Sequence, residues 1–152
     1  MARSGDFLLG VDVGTGSARA GVFDRQGRLL GTAKHDIAMH RDTGGIVEQS
    51  GEDIWRAVCA AARGAVAQAG IAPADIRGIS FDATCSLVVL GEGGVPLPVS
   101  DPAHPERNIM VWMDHRARGQ AARINQTGHR VLDFVGGRIS PEMQTPKLLW
   151  LA

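Results

Sequence analysis

The stretch LLGVDVGTGSARAGVFD, residues 8–24, decides the fold. An apolar run ends in Asp12, a Gly-Thr-Gly-Ser turn follows, and a second strand-like run begins at Ala18. Between Ser17 and Phe23, small or apolar residues alternate with others at a period near two, which predicts a strand and not a helix. We therefore predict a β-hairpin with a glycine-rich bend.

The bend of this hairpin has the residue types of a phosphate-binding loop. Gly14 and Gly16 would let backbone N–H groups approach a phosphate closely. Thr15 and Ser17 would add hydroxyl donors. Asp12, at the end of the first strand, could hold a water-shelled Mg²⁺ beside that phosphate. The pattern therefore predicts a site for the phosphates of a nucleotide.

Two other interpretations of the bend compete with this one. A dinucleotide-binding fingerprint, G-x-G-x-x-G, fits Gly14 and Gly16, but its third glycine falls on Arg19, which is too large for close helix–strand packing. An ordinary tight hairpin with glycine at positive φ stays open, with the hydroxyl residues serving only to form the turn.

Length and charge limit the classes of function. A chain of 152 residues suits one domain, and its 16 basic and 16 acidic side chains give no formal net charge. Because there is no basic stripe, no polybasic tail and no apolar run of membrane length, we expect neither a nucleic acid nor a membrane as partner. The sequence is compatible with a homodimer.

The N-terminus and the cysteines indicate the compartment. No secretory signal precedes the first strand, so we expect a cytoplasmic protein. Cys59 and Cys85 lack metal-ligand spacing and have apolar or small neighbours, which predicts buried reduced thiols, although a single disulfide stays open. The histidines also lack metal-like spacing, so we predict no metal site built from protein ligands alone.

The rest of the chain predicts a meander followed by helices and strands. Strands at residues 7–13, 18–23 and 28–37 should form an antiparallel meander, and a polar loop should follow at 39–47. An alanine-faced helix should run from its capping residue Ser50 to Gly70. The remaining predicted elements are strands at 76–81, 87–90 and 109–113, helices at 114–126 and from Pro146 onward, and a helical turn at 129–134. This is the order of a ribonuclease-H-like α/β domain, the actin-like ATPase fold, with a mixed sheet and flanking helices.

The last predicted helix is expected to be incomplete. Ser140-Pro141 and Thr145-Pro146 each pair a capping hydroxyl with proline at the first helical position. The helix after Pro146 displays leucines and a tryptophan with nothing visible to pack against, so we expect the front part of a larger protein. Glu142 and Lys147 are expected to be surface charges, and His115 a surface residue.

Residues 12–19, DVGTGSAR, resemble the first phosphate motif of the FGGY carbohydrate kinases, which belong to the sugar kinase, actin and Hsp70 superfamily. Further segments agree with that family in order and spacing, so the resemblance covers nearly the whole chain. These segments are VEQS at 47–50 with Trp55, GISFDATCS at 78–86, VWMDHR at 111–116, GGRISPEM at 136–143 and PKLLW at 146–150. The segments DATCS, WMDHRA and GGRISPEM look most like the D-ribulokinase branch.

The resemblance implies an ATP-dependent kinase of two domains with a cleft between them. MgATP would give its γ-phosphoryl group to a primary hydroxyl of a pentulose, D-ribulose becoming D-ribulose 5-phosphate. L-ribulose, D-xylulose or ribitol as substrate, or a non-catalytic sugar- or nucleotide-binding member of the superfamily, stay open. Residues 1–152 would be an incomplete N-terminal, sugar-binding domain. Because the family's Asp base and nucleotide-binding domain lie downstream, this chain alone is expected to be inactive.

The resemblance also assigns roles to single residues. Asp12 would orient Mg²⁺ through water, and the bend would face the γ-phosphate with Arg19 in support. The implied ATP-binding residues are Asp12, Gly14, Thr15, Gly16, Ser17 and Arg19, and the implied sugar-binding residues are Asp82, Ala83, Thr84, Trp112 and Asp114. Relatives often carry larger polar residues at positions 83 and 84, so this chain departs from the family's pattern there.

The residues by themselves leave simpler roles open. Arg19 could be an ion-pair partner of Asp24, and Asp82 could bond backbone at a strand end. Trp112 could belong to the core, and Asp114 could cap the helix that follows it.

Overall fold

The computed structural model describes residues 5–152, which form β-strands, α-helices and short 3-10 turns. The strands and helices, in chain order, are β1 Phe7–Val13, β2 Ser17–Phe23, β3 Leu29–Asp36, β4 His40–Asp42, β5 Ile46–Gln49, α1 Gly51–Ala69, β6 Ile76–Ala83, β7 Leu87–Val88, β8 Ile109–Met110, α2 Arg118–Gln126 and α3 Gln144–Leu151. Contacts divide the chain into two units. The first holds the described residues up to Ala38 with Glu52–Thr84, and the second holds Met39–Gly51 with Cys85–Ala152.

The first unit is a four-stranded mixed sheet in the order β3-β2-β1-β6. Strands β1, β2 and β3 are antiparallel neighbours, so the predicted meander is confirmed, and β6 lies parallel to β1. Alternate residues of β1 and β2 form the core with the buried face of α1. The other face of β1 carries Asp12, whose register partners are Arg19 on β2 and Asp82 on β6.

The alanine face of α1 lets the helix lie very close to β3. Ala57, Ala61 and Ala65 are buried on this face together with Val58, as the periodicity predicts. A Cβ added at Gly31 of β3 would lie 2.5 Å from the Ala65 carbonyl oxygen. Strand and helix backbones therefore touch at Gly31.

The second unit contains a small sheet in the order β4-β5-β8-β7. The loop predicted at 39–47 is wrong, because β4 and β5 pair as a hairpin there. Asp42 accepts a hydrogen bond from the N–H of Thr43, and Gly44 and Gly45 at φ 75° and 84° reverse the chain. Most of β4 is exposed, so its polar residues hide the strand pattern.

Helix starts in the second unit differ from those expected. The helix predicted at 114 begins at Arg118, because residues before it form turns. The last helix begins at Gln144, with Met143 at the N-cap, so Thr145 lies inside it and is not its cap. Ser140 accepts a hydrogen bond from the N–H of Glu142 at 3.2 Å and forms a turn before the helix.

Two further expectations concern the helices and the cysteines of the described residues. No helix within residues 5–152 combines the length and the apolar character that crossing a membrane requires. Both cysteines are free, Cys59 half-buried and Cys85 exposed, so the expectation of two buried thiols is wrong.

Asp24 organises the turn between β2 and β3. Its Oδ1 accepts hydrogen bonds from the N–H groups of Gln26 and Arg28 at 2.9 and 3.0 Å, and its Oδ2 accepts one from Arg28 Nε at 2.6 Å. The backbone hydrogen bond from Arg28 is the main cause that holds the pKa of Asp24 below its ordinary value. Arg19 therefore is not the ion-pair partner of Asp24.

We expect Asp24→Asn to lower the melting temperature at neutral pH. A depressed folded-state pKa stabilises the fold above the unfolded pKa of about 4, and this stabilisation is lost as pH falls through the folded value. The difference in melting temperature between wild type and variant should therefore shrink below pH about 4. Thermal melting of both proteins from neutral to strongly acid pH measures it, with the exposed Asp133→Asn as control. A difference that stays constant to the lowest pH would contradict the role of the Asp24 charge.

Candidate functional site

The bend between β1 and β2 is held by backbone hydrogen bonds from several sides. The N–H of Gly14 donates to the Ser17 carbonyl at 3.0 Å and closes the bend. The N–H of Ile37 donates to the Gly16 carbonyl at 3.0 Å, and the N–H of Thr84 donates to the Val13 carbonyl at 3.1 Å. The ends of β3 and β6 therefore fix the bend in place.

Neither glycine of the bend adopts a positive φ, so the interpretation as a tight hairpin that needs glycine for its left-handed backbone is wrong. A Cβ added at Gly16 would meet nothing within 4 Å, and one at Gly14 would lie 3.4 Å from the Ser17 carbonyl oxygen. Backbone geometry and internal packing thus leave glycine at position 16 unexplained. What glycine does provide there is an open approach to the backbone.

Asp12 lies beside this bend and faces two charged neighbours on the same sheet face. Arg19 Nη1 donates to Asp12 Oδ2 at 3.0 Å, and both side chains are more than half exposed. Asp82 is exposed and lies opposite Asp12 in the parallel register of β1 and β6. The sheet therefore brings Asp12, Arg19 and Asp82 together at one end.

The geometry around Asp12 suits a cation that keeps most of its water. Within residues 5–152, no three His, Cys, Asp or Glu side chains lie together in a way that could hold a metal ion directly. Mg²⁺ retains several waters and is commonly bound through one or two carboxylates and substrate phosphates. Asp12 is an exposed carboxylate, and it lies next to the bend in which a Cβ at Gly16 would meet no protein atom.

The other candidates of the first unit differ in their access to solvent. Thr15 is half-buried, whereas Ser17 is only 4% exposed at the start of β2. Ala83 is exposed and Thr84 half-buried, and both follow Asp82 at the end of β6. Of the two hydroxyl residues in the bend, Thr15 is the more accessible.

The remaining two candidates lie in the second unit, just after β8. Trp112 is half-buried, and side chains bond its main chain on both sides. Its N–H donates to Ser86 Oγ at 3.1 Å, and its carbonyl oxygen accepts from Lys147 Nζ at 2.9 Å.

Asp114 is fully buried, and its carboxylate is engaged by protein groups. Oδ2 accepts hydrogen bonds from the Val47 N–H at 2.8 Å and from Arg116 Nη2 at 2.6 Å, and Oδ1 accepts from the Arg116 N–H at 3.0 Å. Since α2 begins at Arg118, the alternative that Asp114 caps this helix is wrong. The carboxylate instead holds the turn that follows Trp112.

Arg116 is a residue of this region that sequence reasoning missed. Its side chain is 4% exposed and donates to Glu48 Oε1 at 2.7 Å as well as to Asp114. Burial alone would lower the pKa of Arg116, but the hydrogen bonds that the guanidinium donates to the two carboxylates outweigh it and raise the pKa. The guanidinium also lies 5.0 Å from the ring centroid of Trp150 on α3.

Lys147 is a second residue whose role was missed, because the expectation of a surface charge is wrong. The side chain is completely buried, and Nζ donates to the carbonyl oxygens of Val111 and Trp112 at 2.7 and 2.9 Å. Burial lowers the pKa of Lys147, with the Asp114 carboxylate opposing it. The signal in the sequence that could have indicated its burial is its position among apolar residues of a short helix. Glu142 and His115, by contrast, are half-exposed, and they pair with each other at 2.9 Å.

Comparison with known proteins shows which protein family this chain resembles. A model for the N-terminal domain of the FGGY family of carbohydrate kinases matches residues 7–152. An FGGY carbohydrate kinase domain-containing protein of Homo sapiens is 50% identical over 145 residues, which are 95% of this chain and 26% of that protein. A D-ribulokinase of Saccharomyces cerevisiae is 44% identical over 147 residues, which are 95% of this chain and 21% of that protein. The chain therefore spans about a quarter or less of the length of these relatives.

A solved structure supports the fold. The gluconate kinase of Lactobacillus acidophilus superposes with a TM-score of 0.80 at 22% identity, over 96% of this chain and 28% of that one. At this identity the likeness bears on the fold alone. The predicted actin-like ATPase fold, with its mixed sheet and flanking helices, is confirmed.

Proposed function

We propose a pentulose kinase activity for this protein, because the chain belongs to the FGGY family of carbohydrate kinases. The full gene product would use ATP and Mg²⁺ to phosphorylate a primary hydroxyl of D-ribulose, giving D-ribulose 5-phosphate. The 44% identity to the yeast D-ribulokinase favours this substrate. The resemblance assigns the general base and the nucleotide-binding domain to parts of the relatives beyond the matched segment.

Gly16 is the observation that carries this proposal. A side chain there would meet no protein atom within 4 Å, and the backbone does not need glycine. A phosphate group, however, must come within hydrogen-bonding distance of backbone N–H groups, and a Cβ would stand in its way. The residues of the bend, Gly14 to Ser17, would therefore hold the γ-phosphate, and binding would depend on the absence of a side chain at position 16.

Charge placement supports a role of Asp12 with the metal ion. Mg²⁺, when bound, neutralises charge on the phosphates during transfer. The exposed carboxylate of Asp12 would hold the ion through water, and the hydrogen bond from Arg19 keeps this carboxylate oriented. The other N–H groups of Arg19 would point to phosphate oxygens. Asp82, on the neighbouring strand, would bind a sugar hydroxyl.

On the sugar side, the proposed contacts are those that the resemblance assigns to Ala83 and Thr84 in the first unit and, separately, to Trp112 in the second. The face of an indole ring, such as that of Trp112, suits the C–H groups of a sugar. We assign Asp114 a different task from direct sugar contact, because protein donors already engage its buried carboxylate. It would shape the turn after Trp112.

We also propose the cytoplasm as the location. Free thiols at Cys59 and Cys85 are the state expected in a reducing compartment. A pentulose substrate agrees with this location.

The test of the activity is sugar-dependent ADP release by the full gene product with D-ribulose, L-ribulose, D-xylulose, ribitol and glycerol. We expect a strong preference for D-ribulose. A preference for another sugar of the panel would support the kinase activity but would show that D-ribulose is the wrong substrate. No turnover by a folded protein that binds MgATP would overturn the proposal and favour a non-catalytic binding protein.

We expect Gly16→Ala to lower kcat/KM for MgATP by roughly 10- to 100-fold, since the added methyl group blocks the approach of a phosphate to the bend. The melting temperature should stay the same, because the Cβ meets no protein atom. Steady-state kinetics at saturating sugar measure the effect. Gly119→Ala is the matched control, since that Cβ also meets nothing within 4 Å and its φ is not positive. Equal kinetics of the two variants would contradict the phosphate role of the bend.

A further inference from the structure

The main chain of Trp112 is held by two side chains from distant parts of the sequence. β8 ends at Met110, and beyond it the N–H of Trp112 donates to Ser86 Oγ while its carbonyl accepts from Lys147 Nζ. Lys147 also bonds the preceding carbonyl, that of Val111. Two consecutive carbonyls and one N–H are thus fixed, and these bonds set the direction in which the Trp112 side chain leaves the backbone.

Burying the Lys147 ammonium so that it can bond these carbonyls costs desolvation free energy, which other interactions must offset. The Lys147 ammonium is removed from water, and burial disfavours its charged form. The Asp114 carboxylate opposes this cost, and Asp114 is itself paired with Arg116, which also binds Glu48. Replacing buried ionic groups by apolar ones of similar volume is often neutral or stabilising. Stability alone therefore gives little reason for a lysine here.

We infer that Lys147 and Ser86 are positioning residues for sugar binding, acting through the main chain of Trp112. This inference rests on the proposed function, in which the Trp112 ring lies against the sugar. Lys147 comes from α3 and Ser86 from the segment before β7, so both segments converge on one residue. Loss of either bond would let the peptide planes around Trp112 rotate and would misalign the ring.

The kinetic test compares Ser86→Ala, Ser86→Thr and Lys147→Met in the full gene product. We expect Ser86→Ala and Lys147→Met to raise KM for the sugar about tenfold and to leave KM for MgATP unchanged, whereas Ser86→Thr, which keeps the hydroxyl, stays near wild type. Lys34→Met, at the other lysine of the chain, is the control. A fall in kcat with both KM values unchanged would indicate only a loss of folded protein and would overturn the inference. Lys147→Met removes a buried positive charge and leaves buried carboxylates in excess, so this variant is the one at risk of not folding. If it does not fold, Ser86→Ala alone decides the question.

A spectroscopic readout separates this inference from the proposed function. ¹⁹F NMR of the full gene product labelled with 5-fluorotryptophan gives this readout, with the signals of Trp112 and Trp55 assigned by their loss in Trp112→Phe and Trp55→Phe. We expect Ser86→Ala to shift or broaden the Trp112 signal and to leave that of Trp55 in place. An unchanged Trp112 signal would overturn the positioning role even if the kinase is active. Absence of kinase activity with a shifted signal would overturn the proposed function and leave the positioning of Trp112 supported.

Discussion

Replacing Arg116 by methionine is expected to lower the free energy of unfolding by about 3–5 kcal/mol. The guanidinium donates to Glu48 and Asp114, and all three side chains are at most 4% exposed. Methionine has a similar length but leaves two buried carboxylates without their cation. Removing one partner of a buried ion pair is costly because the remaining charge cannot return to water. The contact with the Trp150 ring would also be lost.

Urea denaturation measures this loss as a lower midpoint at an unchanged slope. Arg118→Met is the matched control, because Arg118 is exposed two positions along the chain, and its effect should stay within about 0.5 kcal/mol. Adding Glu48→Gln to Arg116→Met should recover part of the loss, since it removes one of the stranded charges. Equal midpoints for Arg116→Met and Arg118→Met would contradict the buried ion-pair network.

Local patterns were enough to predict the meander and the first long helix. The alternation around Val11 and Val22 reports which face of a strand is buried, and this follows from the period of a strand alone. Likewise the alanines of α1 and the glycine after it mark a helix and its end. The β4–β5 hairpin escaped detection because most of β4 is exposed and therefore has no hydrophobic alternation to read.

The candidate site could be predicted only in part, for a related reason. Motif positions such as Asp12 and Gly16 follow from neighbouring residues, but whether a side chain at position 16 would touch anything depends on the rest of the fold. The partners of Lys147 lie 35 and 36 residues away in sequence. The distance in sequence is greater still between Glu48 and Arg116, at 68 residues. Charged side chains are ordinarily expected at the surface. A buried charged side chain can be recognised only once the fold shows which distant residues pack around it as partners.

Gly31→Ala is the second substitution for which we expect a large loss, about 3 kcal/mol of the free energy of unfolding. The added Cβ would lie 2.5 Å from both the Ala65 carbonyl oxygen and the Ala69 nitrogen, and 2.9 Å from the Ala69 Cα. These are backbone atoms of α1, so no side-chain rotation can relieve the overlap. Helix and strand would have to separate, which opens the close contact between β3 and α1 and weakens the packing of Ala61 and Ala65.

Gly64→Ala, on the helix side of the same contact, is the matched control. Its Cβ would meet a single atom, the Cβ of Ala33 at 2.8 Å, instead of several backbone atoms, and alanine favours a helix over glycine by about 1 kcal/mol. The helix preference offsets part of the overlap, so Gly64→Ala should destabilise clearly less than Gly31→Ala. Urea denaturation of both variants measures the difference. If Gly31→Ala unfolds at the wild-type midpoint, β3 and α1 do not approach as closely as their backbones indicate, and the argument from the alanine face of α1 fails with it.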